Sequence, residues 1–212
     1  MHRRRLLRHA LALAPAWALL AACGKKKPAL ALPAGATVLA LGDSLTAGYG
    51  AAPGQGWPEQ LAAITGWQLV NEGVNGDTSA GALQRLGPLL QGQRFDAILI
   101  GIGGNDMLRG VDAAQTERNL RALVDAARAH STHVALLATP APDALRAAAG
   151  LLSDAPFYAP VAQSTQTLLL PGIYAAVLSD RALRSDPIHA NAAGYARVAE
   201  RLADALRDAG WR

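Results

Sequence analysis

The stretch Thr37-Val38-Leu39-Ala40-Leu41-Gly42-Asp43-Ser44-Leu45-Thr46-Ala47-Gly48 decides the fold. A short, continuous apolar run stops at a glycine and gives way to a serine at the head of a helix-compatible segment. Strands covered on both faces of a parallel sheet have this uninterrupted apolar character. A serine at the strand-to-helix turn stands where a nucleophile would be placed, with its hydroxyl facing a crevice and its amide free to donate. A helix N-cap serine predicts the same local sequence, so the rest of the chain must decide.

Outward from this run, the pattern repeats. Trp67 to Asn71 ends at Glu72-Gly73, Phe95 to Ile102 at Gly103-Gly104, and His133 to Ala138 at Thr139-Pro140, with Thr165 to Leu170 a weaker fifth run. Between them lie helical stripes: Leu83, Leu86 and Leu90, then Leu120, Leu123, Val124 and Ala127, and finally Tyr195, Val198, Ala199, Leu202 and Leu206. Pro88 is expected to kink or end the first, and Asn191 to cap the last. The alternation predicts an α/β fold, a doubly wound parallel sheet of about five strands, with its ligand site beyond the strands' carboxyl ends.

The 212 residues are 51% hydrophobic and 17% charged, as in one ordinary globular domain. The net charge of +4 is not a property of that domain. Arg3, Arg4, Arg5 and Arg8 lie at the start, Lys25 to Lys27 follow, and residues 28–212 carry 13 cations against 16 acids, a net −3. No basic cluster suited to a phosphate backbone is visible, so no nucleic-acid partner is expected.

Residues 1–22 have the layout of a bacterial secretory leader: a basic start, then an apolar run too short to span a bilayer stably. Leu20-Ala21-Ala22-Cys23 resembles the lipobox of bacterial lipoproteins, which implies lipidation of Cys23, a membrane tether over residues 23–36 and a folded domain over 37–212. The arginines fit a twin-arginine export motif and a general secretory leader equally well. Gly24 stands where an inner-membrane retention signal has Asp, favouring the outer membrane, with the domain facing the periplasm. Cys23 is the one cysteine of the chain, so the domain has neither a thiol nucleophile nor a Cys-based metal site.

A serine nucleophile needs a general base, and the base an orienting acceptor. Of five histidines, His2 and His9 fall in the leader, and His130 and His133 flank the wrong end of the fourth strand. His189 remains, in Ser185-Asp186-Pro187-Ile188-His189-Ala190-Asn191, where Asp186 can reach back to the imidazole from the same turn. The order Ser, Asp, His fits a triad, although a loop whose Asp and His only cap a helix also fits. Oxyanion donors are available after the second strand, in Asn71-Glu72-Gly73-Val74-Asn75-Gly76-Asp77-Thr78, and after the third, in Gly103-Gly104-Asn105-Asp106.

Ser44 in Gly42-Asp43-Ser44-Leu45, Gly76, Asn105 in Gly103-Gly104-Asn105-Asp106 and His189 in Asp186-Pro187-Ile188-His189 resemble, in order, the four blocks of the GDSL or SGNH hydrolase family. The wording of Gly76-Asp77-Thr78-Ser79 and Gly104-Asn105-Asp106-Met107-Leu108-Arg109-Gly110 is most similar to its bacterial exported arylesterase, acyl-thioesterase and lysophospholipase group. The resemblance implies a flavodoxin-like sandwich without metal or organic cofactor. It implies Ser44 as nucleophile, His189 as base, Asp186 as its orienter, and the amides of Ser44 and Gly76 with the Asn105 side chain as oxyanion hole. Asp43 and Asp106 are expected to form turns rather than to react. The implied substrate is a small-molecule acyl ester or thioester.

Three features depart from that pattern or leave it open. Pro142, Pro156 and Pro160 predict a loose segment over residues 141–164 that borders the acyl pocket. Gly48, Gly50, Gly54 and Gly56 fit either a small mouth or a flexible rim, and Glu72 has no role in this reading. Two other functions fit the same sheet: a nucleotide- or flavin-binding module, and an inactive envelope lipoprotein. Against the first, Gly101-Ile102-Gly103-Gly104-Asn105-Asp106 has Asp where G-x-G-x-x-G needs its last glycine, and no P-loop string occurs. Against the second, Ser44, Asp186 and His189 are all intact.

Overall fold

The computed structural model describes residues 31–212, so the expected leader, the expected lipidation site Cys23 and the first part of the expected tether lie outside the described residues. Five strands form one parallel sheet in the order β2-β1-β3-β4-β5: β1 (Thr37–Gly42), β2 (Gln68–Gly73), β3 (Ala97–Gly101), β4 (His133–Leu137) and β5 (Leu168–Leu170). This is the flavodoxin-like doubly wound order, in which the chain reverses its direction of travel between β1 and β3. A crevice opens there, at the carboxyl ends of those two strands.

Alternation along the strands sorts two cores. Val38, Ala40, Ala97, Leu99, Ala135 and Leu137 face α2 (Trp57–Thr65), α8 (Ile173–Ser179) and α9 (Ala192–Asp208). The sheet residues there are often alanine, and the helices fill the space with the buried rings of Trp57, Tyr174 and Tyr195. On the opposite face Leu39, Leu41, Ile98 and Ile100 meet α3 (Ser79–Gly92), α5 (Ala113–His130) and α7 (Tyr158–Thr165). The short helices α1 (Ser44–Ala47), α4 (Gly104–Leu108) and α6 (Ala144–Ala149) sit at the strands' carboxyl ends, and a 3-10 turn (Arg181–Leu183) precedes the His189 loop. Among the described residues no helix is long and apolar enough to cross a membrane.

Four expectations are refined by the structure. The second strand is not covered on both faces: as an edge strand paired only to β1 it leaves Gln68 exposed and Asn71 and Glu72 half-buried. Helix α3 continues through Pro88 to Gly92, because Pro88 and Gln84, whose carbonyl loses its partner, both face solvent, and Gly87 lacks the Cβ that would crowd the proline ring. The weak fifth run begins as helix, Thr165 closing α7 and Gln166 capping it at φ 52°, so only Leu168–Leu170 is strand. Residues 141–164 are more ordered than their prolines suggest, since Pro160 falls in the first turn of α7, where its missing N–H costs nothing. Asn191 caps α9 as expected, its side chain accepting from the Gly194 amide at 2.9 Å.

The turn after β1 is set by close approach. A Cβ at Gly73 would fall 2.1 Å from the Ala47 nitrogen and 2.6 Å from its Cα, and one at Gly42 would fall 2.6 Å from the Gly101 carbonyl oxygen. Gly73→Ala is therefore expected to destabilise the protein by about 1–3 kcal/mol through overpacking against backbone. Gly92→Ala, where open space surrounds the Cβ, should stay within about 0.5 kcal/mol of the parent. Urea denaturation of the three proteins checks both values.

Candidate active site

Strand β1 ends at Gly42, and Asp43 caps α1, its Oδ1 accepting from the Leu45 amide at 3.0 Å while its carbonyl accepts from Thr46 and Ala47. Ser44 is thereby the first residue of the helix, at the mouth of the crevice. From the far end of the chain, the loop before α9 brings His189 to it, with Nε2 2.9 Å from Ser44 Oγ. His189 Nδ1 lies 2.7 Å from Asp186 Oδ2. An ionised carboxylate only accepts, so Nδ1 carries the proton and Nε2 is left to accept from the serine hydroxyl.

Asp186 is held by its own loop. Its Oδ1 accepts from the amides of Ile188 and His189, both at 2.9 Å. Partial burial pushes the carboxyl up, but these amides and the His189 ring outweigh it and hold Asp186 below the usual carboxylate range. The side chain is thus ionised at neutral pH and fixed in orientation.

Asn105 stands on α4 after β3, and its Nδ2 donates to the Asp77 carbonyl at 2.9 Å, leaving its second amide proton for another acceptor. Ser44, Asn105 and His189 line one cavity of about 400 Å³, whose other walls include Leu45, Leu108 and Leu178. Gly76 does not line it. At φ 75° it makes the turn after β2, its carbonyl accepting from Arg109 Nη2 at 2.7 Å. The 141–152 segment does border the cavity, through Ala144, Ala147 and Leu152. His130 and His133 stay at the other end of the sheet, where His130 Nε2 accepts from the Phe95 amide and His133 meets the Trp211 ring edge-on.

The acids beneath the site have distinct tasks. Asp106, fully buried, accepts from the Ser79 amide at 2.8 Å and from its hydroxyl at 2.5 Å, joining the loops after β2 and β3. Asp77 pairs with Arg85 Nε at 2.8 Å, and Arg85 Nη2 donates to the Gly42 carbonyl. Glu72 is 3.7 Å from Arg85 Nη1, which gives it a place beside that guanidinium. Among the described residues no group of three or more His, Cys, Asp or Glu side chains is placed to hold a metal ion. One contact was not legible in the sequence: the Tyr49 ring against His189, for which the only signal is an aromatic residue flanked by two glycines four residues past Leu45.

Asp43 is 2% exposed, and burial, reinforced by the nearby Asp77 and Asp106, pushes its carboxyl up to about 7 despite the Leu45 amide. The fold therefore favours the protonated form, and the associated stability is complete below the ordinary value of 3.8 and is lost as pH rises towards 7. Asp43→Asn keeps the cap without the charge. Calorimetry from pH 5 to pH 8 should show the melting temperature of the parent falling by several degrees relative to this variant, and parallel profiles would contradict the assignment.

Comparison with known proteins places this geometry in a family. The model of the GDSL-like Lipase/Acylhydrolase family matches residues 40–197. Esterase TesA of Pseudomonas aeruginosa is 42% identical over 106 residues, 48% of this chain and 53% of that protein. Thioesterase 1/protease 1/lysophospholipase L1 of Escherichia coli strain K12 is 39% identical over 105 residues, 48% of this chain and 50% of that protein. The chain thus spans about half the length of the curated relatives it matches. Among solved structures, a crystal structure of TesA superposes with a TM-score of 0.72 at 33% identity, covering 82% of this chain and 99% of that one. The psychrotrophic esterase EstA from Pseudoalteromonas sp., inhibited by monoethylphosphonate, superposes with a TM-score of 0.71 at 27% identity, covering 82% and 97%. With its four motif blocks at the carboxyl ends of a flavodoxin-like sheet and a family match over most of its length, the chain belongs to the GDSL-like lipase/acylhydrolase family.

Proposed function

We propose that the protein is a serine esterase that cleaves carboxylic ester or thioester bonds of arylesters, short acyl esters, acyl thioesters or lysophospholipids through an acyl-enzyme. The observation that carries this reading is the relay from Asp186 through His189 to Ser44, at 2.7 and 2.9 Å, opening on a largely apolar cavity. Relatives named esterase, thioesterase and lysophospholipase support the same substrate range.

Ser44 Oγ attacks the carbonyl carbon as His189 Nε2 takes its proton, and Asp186 stabilises the imidazolium that forms. The negative charge that develops on the carbonyl oxygen needs donors already in place. Asp43 engages the amides of Leu45, Thr46 and Ala47, so the Ser44 amide is the one in that turn left for the substrate. The second proton of Asn105 Nδ2 joins it from the cavity wall; the Gly76 amide, which the family resemblance implies as a third donor, belongs to a turn outside the cavity lining. His189 then passes its proton to the departing oxygen or sulfur, and a water molecule repeats the sequence on the acyl-enzyme.

We further infer that the chain is a lipoprotein, cleaved before Cys23 and lipidated there, facing the periplasm from the outer membrane. The basic start, the apolar run and Leu20-Ala21-Ala22-Cys23 support this reading. Labelled palmitate should enter the parent protein in cells and not Cys23→Ser; uptake by the variant would exclude the anchor.

Steady-state hydrolysis of p-nitrophenyl esters from acetate to palmitate tests the catalytic reading. Ser44→Ala should lose roughly 10³-fold or more in kcat, and Asn105→Ala about 10²–10³-fold. Equal activity of the parent and Ser44→Ala would remove Ser44 from the mechanism.

A further inference from the structure

Tyr49 is 52% exposed, yet its ring centroid lies 4.6 Å from that of His189, with the planes tilted by 48°. The backbone around it is held from three sides. Its amide donates to the Ser44 carbonyl at 3.0 Å, and its carbonyl accepts from the Tyr195 hydroxyl on α9 at 2.7 Å. The next residue, Gly50, has φ 95° and packs against the loop that carries the base: a Cβ there would fall 2.1 Å from Ser185 Oγ and 2.6 Å from the Ala190 carbonyl oxygen. Tyr49 and Gly50 therefore join the segment leaving the nucleophile to the loop bearing Asp186 and His189.

The ring contact has a chemical consequence. When His189 Nε2 takes the Ser44 proton, the imidazole becomes a cation and stays one until the proton passes to the leaving group. An aromatic ring within about 6 Å of a cation attracts it through its quadrupole, and this attraction is stronger for the imidazolium than for the neutral ring. Asp186 binds one ring nitrogen and Ser44 the other, so both in-plane positions of His189 are engaged, and Tyr49 meets the ring from a tilted direction that neither hydrogen bond restrains.

We propose that Tyr49 is a positioning residue of the active site: seated by Gly50, its ring holds the plane of His189 and favours the imidazolium formed in the transition state. This rests on the esterase reading. The glycines that in the sequence fit a mouth or a rim thus have, at Gly50, a defined use, because only a residue without a Cβ lets the two loops approach so closely.

The test compares the parent, Ser44→Ala, Tyr49→Leu, Tyr49→Phe and Gly50→Ala in p-nitrophenyl butyrate hydrolysis, with melting temperatures and the rate of Ser44 labelling by a fluorophosphonate. Leucine keeps apolar bulk and removes the ring, whereas phenylalanine keeps the ring. Tyr49→Leu should lower kcat roughly 3–10-fold with KM within about twofold, and slow labelling in parallel. Tyr49→Phe should recover kcat to within about twofold of the parent. Gly50→Ala should lower kcat further with the tyrosine still present. Since Tyr49 is half exposed, its variants should melt within a few degrees of the parent, which separates positioning from collapse of the fold. The proposal is overturned if Tyr49→Leu retains the parental kcat, if leucine and phenylalanine lose activity equally, or if the loss lies wholly in KM. If the parent and Ser44→Ala hydrolyse alike, the esterase reading has failed and this one falls with it; a dead Ser44→Ala beside an unaffected Tyr49→Leu overturns the positioning role alone.

Discussion

The site depends on how closely α1 can press onto the ends of β1 and β2. Gly42 and Gly73 permit it: a methyl group at either position would run into backbone atoms of the neighbouring segment. With that approach allowed, Asp43 captures the first turn of α1 and Ser44 projects at the reversal point of the sheet, where β1 and β3 lead their loops apart. The relay from Asp186 through His189 ends on that serine. A shift of α1 by about 1 Å would break the 2.9 Å contact with His189, which arrives from 145 residues away.

Electrostatics around the turn are arranged with equal economy. Asp43, Asp77 and Asp106 crowd one small region, and each is handled differently. Asp77 receives the Arg85 guanidinium, Asp106 receives the Ser79 amide and hydroxyl, and Asp43 is buried with one amide and an affinity for its proton. Arg85 also donates to the Gly42 carbonyl, so one side chain of α3 holds the end of β1 and the loop after β2 together. Breaking such a buried network by removing one partner generally costs more than the network contributes as a whole, because the remaining groups stay desolvated. The Asp106–Ser79 pair has a positional role as well, since Asn105 precedes Asp106 and its own amide is donated to the same loop.

Much of this was legible in the sequence, for identifiable reasons. Apolar runs ending in glycine or proline marked β1, β3 and β4 closely, because a strand covered on both faces leaves few polar positions to confuse the period. β2 was found but its exposure was not, since edge position is a property of sheet order and not of local pattern. Ser44, Asp186 and His189 could be selected because His2 and His9 fall in the expected leader and His130 and His133 at the wrong end of the fourth strand. Helices α6 and α7 were obscured by Pro142 and Pro156, which precede their N-cap residues, and by Pro160 in the first turn of α7, where a missing N–H does no harm. Tyr49 against His189, Gly50 against Ser185 and Ser79 against Asp106 were hidden because each joins residues far apart in the chain through a contact that no periodicity encodes.

The proposed reaction rests on one serine, activated by His189, attacking the acyl carbon. Mass spectrometry after brief exposure of the parent protein and of His189→Ala to a fluorophosphonate measures this most directly. A single phosphonyl adduct, mapped to the peptide containing Ser44, is expected to form in the parent and to be slowed by orders of magnitude in His189→Ala. An adduct on another residue, or equal labelling of Ser44 in both proteins, would contradict it.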